Sequence, residues 1–286
     1  MSERIDRVAV LGAGTMGHGI AQVAAQAGFE VVLADASEEA LERGLESIRR
    51  NLDEGVARGK VTDEQRAETL ARLSTARSVG DAVRGADLVV EAVPERFDLK
   101  VQVFEEVEAD APPEAILATN TSSLSVTDLQ SALGRPERVV GLHFFNPVHI
   151  MKLVEVVRGK RSDERVVAAA VAFARRLGKD PIVVNDAPGF ASSRLGVALG
   201  LEAMRMLEEG VASAEDIDKA MELGYRHPMG PLKLTDLVGL DVRLSIAEYL
   251  HERLGAEQFR PPAILRRLVT EGKLGKKSGQ GFYNWE

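Results

Sequence analysis

Arg7–Gly17 reads RVAVLGAGTMG. Apolar after its first residue, Arg7–Leu11 has the pattern of a short buried strand, and it runs straight into Gly12-Ala13-Gly14-Thr15-Met16-Gly17. A GxGxxG loop between a strand and a helix has a mechanical reading. Gly12 permits the tight turn, Gly14 lets backbone approach a pyrophosphate, and Gly17 lets the helix pack on the strand. The helix that follows, to about Gly28, turns its N-terminal N–H groups and positive dipole end toward the phosphates. A second strand, Glu30–Ala34, ends in Asp35, 23 residues after Gly12. An acid at that place accepts hydrogen bonds from ribose hydroxyls and repels a 2′-phosphate. No Arg adjoins Asp35 in the sequence, so NAD is favoured over NADP. The competing reading is a glycine-rich turn with Asp35 or Ser37 capping the next helix.

The chain continues in the same alternation. Ser37–Ala57 is helical by period, with Leu41, Leu45, Ile48, Leu52 and Val56 on one stripe. Its other side carries Arg43, Arg49 and Arg50, with Arg58 and Lys60 near the end; this is either a solvated face or a phosphate-binding patch for a long anionic substrate. Thr62–Leu73 reads as a second helix and Leu73–Ala76 as a short strand. Ala86–Val93 and Ala115–Ala118 are further buried strands, with a helix over Asp98–Ala109 between them. Ligands of open α/β sheets bind beyond the carboxyl ends of the strands. That rule brings Glu95 and Lys100 toward the cofactor, unless they form an ordinary surface ion pair. It also brings the polar run Thr119-Asn120-Thr121-Ser122-Ser123 there, although turn chemistry and helix capping account for several of those hydroxyls.

Gly141–Val157, GLHFFNPVHIMKLVEVV, carries the most pointed chemistry. It reads as two apolar strands, Val139–Phe145 and Lys152–Val157, joined by a turn around Asn146-Pro147. A glutamate inside Leu-Val-Glu-Val-Val wants a partner. If the strands pair antiparallel with His149 near the centre, His143 and Glu155 lie opposite each other on one face. The imidazole then offers one nitrogen to the carboxylate and the other to a cleft, the shape of a general base with its orienting group. The plainer reading is a satisfied core histidine beside an edge-strand glutamate.

Composition narrows the classes. The length suits one large or two modest domains, and 45% hydrophobic with 28% charged residues is the balance of an ordinary globular protein rather than a disordered one. With no Cys there is no disulfide framework, thiol nucleophile or Cys-based zinc site. A net charge of −8 argues against nucleic acid as the main partner, so a polyanionic ligand must meet a local basic patch. The charged start MSERIDR is not expected to be a secretory signal, and no apolar run approaches a membrane span. A cytoplasmic enzyme without membrane contact is the expectation.

After Glu155 the pattern turns helical over Ser162–Leu177, and Pro181–Val184 is a last strand. From Asp186-Ala187-Pro188-Gly189-Phe190 onward only helices are expected: about Ala191–Glu209, Ser213–Leu223, Leu232–Leu254 and Pro262–Glu271. The boundary falls near residue 186, dividing a Rossmann-type doubly wound α/β domain (1–185) from a smaller all-helical C-terminal domain (186–286). Leu195–Leu207 is apolar around more than one face, which suggests burial against a partner as well.

These residues resemble the short-chain 3-hydroxyacyl-CoA dehydrogenases, and among them the bacterial 3-hydroxybutyryl-CoA dehydrogenases. The similarity runs from GAGTMG through EAVPE, NTSSLS, HFFNPV, KLVEVV, DAPGF and HPMGPL to GKKSGQGFY, nearly the whole length. HFFNP with KLVEV is more specific than the glycine loop. The resemblance implies a dinucleotide-binding domain followed by a helical domain that forms a homodimer, with NAD as cofactor and an acyl-CoA as substrate. It implies His143 as catalytic base, Glu155 as its paired acid and Ser122 as the residue binding the substrate's 3-oxygen. Asp35, Glu95, Lys100, Asn146 and Lys277 match positions that contact NAD, and Asn51 and Arg58 fall where the family contacts coenzyme A. No metal is implied.

One departure stands out. The family carries a catalytic Asn in a P-G-F-x-x-N-R pattern, and this chain has Pro188-Gly189-Phe190-Ala191-Ser192-Ser193-Arg194. Ser193 donates one hydrogen bond from a shorter arm, so lowered activity or a shifted substrate choice is implied. Two other readings stay open at this stage: a dehydrogenase of a free hydroxy acid or sugar acid, and a NAD-binding protein with little turnover. A hydrolytic metal site from His143, His149 and Glu155 has no HExxH-type spacing behind it.

Overall fold

A computed structural model describes residues 4–285. The chain divides into two compact units, one ending at Asp186 and the other beginning at Ala187.

Among the described residues of the first unit, eight strands build one sheet: β1 (Arg7–Leu11), β2 (Glu30–Ala34), β3 (Leu73–Ala76), β4 (Leu88–Glu91), β5 (Ile116–Thr119), β6 (Val139–Phe144), β7 (Leu153–Arg158) and β8 (Asp180–Asn185). Their order is β3-β2-β1-β4-β5-β6-β7-β8. All neighbours run parallel except β6 and β7. The first six follow the doubly wound order, with the chain crossing from one side of β1 to the other between β3 and β4. Ligands of such sheets lie at that reversal, beyond the carboxyl ends of β1 and β4.

Among the same described residues, seven α-helices accompany the sheet: α1 (Gly17–Gln26), α2 (Glu38–Ala57), α3 (Asp63–Ala71), α4 (Val79–Val83), α5 (Phe97–Asp110), α6 (Val126–Ser131) and α7 (Glu164–Arg176). α2 buries Leu41, Ile48 and Leu52 in the core that holds Val10, Val31, Leu33 and Val90 of the sheet, while Arg49 and Arg50 stay exposed. Ser37 caps it by accepting the Ala40 N–H. Thr62 and Gln65 form a reciprocal capping box at α3. Helices α4 and α6 have no counterpart in the sequence reading; at five and six residues they are too short for a helical period to show. Each opens on a capping serine, Ser78 or Ser125.

The second unit is helical: α8 (Ser192–Glu208), α9 (Ala214–Gly224), α10 (Pro231–Val238), α11 (Leu240–Leu254) and α12 (Ala263–Thr270). One helix was expected over Leu232–Leu254. The chain instead breaks at Gly239, whose φ of 102° lies outside the helical region and is open to glycine. Val197, Leu201 and Met204 of α8 pack with Leu240, Ala247 and Leu250 of α11 and with Leu265 of α12. Leu195 and Leu199 point away from that core, and Leu195 is 72% exposed. Among the described residues no helix is long and apolar enough to cross a membrane.

Candidate active site

β6 and β7 pair antiparallel in the register that sets His143 opposite Glu155. The imidazole Nδ1 lies 2.7 Å from Glu155 Oε2, and both side chains are buried, the glutamate completely. A carboxylate without water is tolerable when a strong donor meets it, and the Nδ1–H tautomer of His143 is that donor. The Phe145 ring packs 4.5 Å from the imidazole, centroid to centroid.

His143 lines a cleft of about 250 Å³ together with Met16, Val93, Glu95, Lys100, Asn120 and Ser122. A cluster of charges lies at this cleft. The Lys100 ammonium is buried, 2.7 Å from Glu91 and 3.2 Å from Glu95, so it is not the surface ion pair that the sequence left open. Glu91, also buried, accepts the Val93 N–H (2.8 Å) and the Thr119 hydroxyl (2.7 Å). Burial pushes its carboxyl above the usual range, against the pull of Lys100. Burial also acts on Glu95, but the Lys100 charge and hydrogen bonds from Thr121 and Ser122 outweigh it and hold that carboxyl below its usual value. Glu95 Oε1 accepts from the Thr121 hydroxyl (2.5 Å) and from the N–H groups of Ser122 and Ser123, so it sets the loop that presents Ser122. Asn120 Oδ1 accepts the Phe144 N–H at 2.9 Å, tying that loop to the strand of His143.

A longer cleft of about 740 Å³ continues from this one, since Met16, Ala92 and Val93 line both. It passes the glycine loop, Asp35 and Arg77. Gly12 has φ 101°, and a Cβ there would stand 2.7 Å from the Ala92 carbonyl oxygen. Gly17 has no room either, since a Cβ would meet the Gly12 carbonyl oxygen at 1.7 Å, so the constraint comes from the loop itself more than from β1. Over Gly14 there is open space, with nothing within 4 Å of a Cβ, which is the access a pyrophosphate needs. Asp35 accepts the N–H groups of Ala13 and Ser37, each at 2.9 Å, and so joins the loop to the start of α2. Together the open loop, the N-terminal end of α1 and Asp35 fit a dinucleotide.

The remaining expected site residues lie elsewhere. Asn146 is on the exposed turn after β6 and lines neither cleft. On α2, Asn51 donates to Gln22 Oε1 of α1 at 3.0 Å, and Arg58, at its C-terminal end, pairs with Glu54 at 3.4 Å. Ser193 sits in the first turn of α8, and Lys277 pairs with Asp241 at 2.6 Å, both within the helical unit. The sequence reading missed Lys179. Its buried ammonium donates to the carbonyls of Val148 and Met151 and so anchors the turn between β6 and β7. Burial lowers its pKa. His149 on that turn is likewise pushed down, by burial and by the Lys179 and His18 charges. Nothing in Leu-Gly-Lys-Asp-Pro marks that lysine.

Comparison with known proteins decides the family. Residues 7–187 match the 3-hydroxyacyl-CoA dehydrogenase, NAD binding domain, and residues 189–285 match the 3-hydroxyacyl-CoA dehydrogenase, C-terminal domain. The chain belongs to the 3-hydroxyacyl-CoA dehydrogenase family. It is thus an NAD-dependent oxidoreductase. Among its relatives is the probable 3-hydroxybutyryl-CoA dehydrogenase of Bacillus subtilis, 45% identical over 282 residues, which span 99% of this chain and 98% of that one. The 3-hydroxyadipyl-CoA dehydrogenase of Escherichia coli is 44% identical over all of this chain and 60% of its own length. In crystals, the (S)-3-hydroxybutyryl-CoA dehydrogenase of Ralstonia eutropha has the same fold, with a TM-score of 0.95 at 40% identity, covering 99% of this chain and 100% of that one. The 3-hydroxyacyl-CoA dehydrogenase architecture is therefore present over both units.

Proposed function

We propose that this dehydrogenase interconverts (S)-3-hydroxyacyl-CoA and 3-ketoacyl-CoA thioesters, 3-hydroxybutyryl-CoA among them, in the fatty acid or butanoate metabolism of the cytoplasm. The observation that carries the proposal is His143, bound to the buried Glu155 and lining a cleft that continues into the dinucleotide cleft. When bound, the nicotinamide accepts or returns the hydride of C3. His143 takes the hydroxyl proton in oxidation and gives it back in reduction, through Nε2, because Nδ1 is directed at Glu155. Glu155 keeps the imidazole in that tautomer and stabilises its protonated form. The Ser122 hydroxyl holds the 3-oxygen and polarises the ketone in the reverse direction. Ser193 is assigned the supporting hydrogen bond to the same oxygen, the role its position has in the family resemblance.

Cofactor contacts are assigned to Gly12, Ala13, Gly14, Thr15, Met16, Gly17, Asp35, Glu95, Lys100, Ser122, Asn146 and Lys277. Asn51 and Arg58 are assigned to coenzyme A, whose binding energy is gained away from the reacting carbon. The exposed apolar residues Leu195 and Leu199 support assembly as a homodimer. A panel of NADH and NADPH, each against 3-ketoacyl-CoA esters of rising length and the matching free acids, tests the reading by nicotinamide absorbance. Turnover of the thioesters with NADH is expected; turnover of the free acids alone would overturn it.

A further inference from the structure

The longer cleft has two ends. Its inner end, at Met16, Ala92 and Val93, opens on the cleft of His143 and Ser122, where the nicotinamide is needed. With the pyrophosphate at the glycine loop and the ribose at Asp35, the base of the cofactor falls at the outer end. Leu99, Gln102, Val103 and Glu106 of α5 line the cleft there, and their spacing of i, i+3, i+4 and i+7 makes them one stripe of the helix. Lys100 of the same helix lines the cleft of His143. Glu106 comes six residues later, about 9 Å farther along the helix axis.

The outer end combines apolar surface with two idle polar groups. Leu99 and Val103 of α5, Val79 at the start of α4 and Ala36 after β2 supply the apolar surface, which suits the faces of a purine. Ser78 is spent on the α4 cap: its hydroxyl donates to the Asp81 carboxylate at 2.7 Å and accepts the Asp81 N–H at 3.1 Å. Arg77 pairs with Glu38 at 3.4 Å. Gln102 and Glu106 are exposed, and neither side chain has a hydrogen bond or ion pair among the described residues. They stand four residues apart, on adjacent turns of one helix face. A carboxylate that accepts from an exocyclic amine, beside an amide that carries both donor and acceptor, is the side-chain chemistry that reads the edge of a base.

We propose that Glu106 accepts a hydrogen bond from the 6-amino group of the cofactor's adenine, with Gln102 donating to the ring nitrogen beside it, so that this end of the cleft selects adenine over a 6-oxopurine. The proposal deepens the reading of this cleft as the dinucleotide site and rests on it. Exchanging the 6-amino group for a 6-oxo group turns a donor into an acceptor and sets oxygen lone pairs against the carboxylate. A site built to bond an N–H rejects the analogue that lacks it, because its own polar groups are then left unpaired. Exposure of both side chains to water softens that penalty to about tenfold in affinity.

The test is a fluorescence titration of the full chain with NADH and with reduced nicotinamide hypoxanthine dinucleotide, which carries the 6-oxo group. It needs no acyl-CoA. The intact protein is expected to bind NADH about tenfold more tightly than the analogue. Glu106→Gln, whose amide turns to donate to the oxo group, should bring the ratio near one, chiefly by tightening the analogue. Glu106→Ala should also bring it near one, but by weakening NADH. A ratio near one in the intact protein overturns the proposal. So does the parent ratio kept in a Glu106→Gln protein that circular dichroism shows to be folded. Asp35→Ser separates this proposal from the reading of the cleft, since it should weaken both dinucleotides alike and keep their ratio. If Asp35→Ser leaves both affinities unchanged, the cleft is not the dinucleotide site and both readings fall. If it weakens both while Glu106→Gln keeps the parent ratio, only the adenine assignment falls.

Discussion

Glu155 faces His143 directly across the antiparallel strands β6 and β7, carboxylate oxygen to imidazole nitrogen at 2.7 Å, and it has no solvent contact of its own. A buried carboxylate so placed governs the ring's tautomer and compensates its positive charge when it takes a proton. Glu155→Gln keeps the shape and removes the charge. It is expected to slow turnover of acetoacetyl-CoA by on the order of 10–10³-fold with NADH affinity retained. Steady-state kinetics with parallel fluorescence titration of NADH checks this; full activity would show that the glutamate is only a structural partner.

Lys100 offers a sharper test of stability than of chemistry. Replacing it with Met strands Glu91, whose carboxylate would be left buried beside Glu95 without its cation. Breaking one half of a buried pair costs about 3–5 kcal/mol. Urea unfolding of Lys100→Met should show that loss, and adding Glu91→Gln should recover a large part of it. Equal stability of the single and double variants would contradict the pairing.

The two carboxyls beside Lys100 respond to acid in opposite senses. Glu95 titrates below its ordinary value of 4.5, so its contribution to stability is complete above that pH and is lost as pH falls through the lowered value. Glu91 titrates above its ordinary value, so the folded state holds its proton longer and its contribution weakens as pH rises through that window. Glu95→Gln should therefore be less stable than the parent at neutral pH, with the difference shrinking as the pH drops below about 4.5. Urea midpoints for both proteins between neutral pH and pH 3 read this out. A difference independent of pH would mean that Glu95 acts through shape and not charge.

Asp35 and Arg77 line the same cleft, which the sequence could not show because 42 residues separate them. Removing the acid leaves the cation, which pairs at 3.4 Å with Glu38. Asp35→Ser should weaken NADH binding by about tenfold, the worth of one lost pair of hydrogen bonds, and should raise the NADPH-to-NADH ratio of kcat/KM. An unchanged cofactor ratio would take the ribose assignment away from Asp35.

Much of the fold was legible because its signals are local. Strand–loop–helix–strand–acid is a contiguous run, and the pairing of His143 with Glu155 follows from the spacing of two residues about a turn. Where the answer depends on what surrounds a residue, sequence patterns say less. Lys100 reads as a surface lysine at a helix start, yet it is fixed between two acids from the end of β4 and the loop after it. Lys179 is held by two carbonyls of a distant turn, and no pattern in its own neighbourhood implies that. Gly239 breaks a helix whose apolar period runs on through it, because the period reports burial and not the backbone angle. Arg243 looks like an ordinary helix-surface arginine until α8 presents Gly196 to it.

The most direct test of the central claim is single-turnover reduction of acetoacetyl-CoA by NADH with a folded His143→Ala protein. Loss of the group that moves the proton should slow the hydride step by on the order of 10²–10⁴-fold, while NADH binds as in the parent. Reduction at the parent rate would contradict His143 as the base.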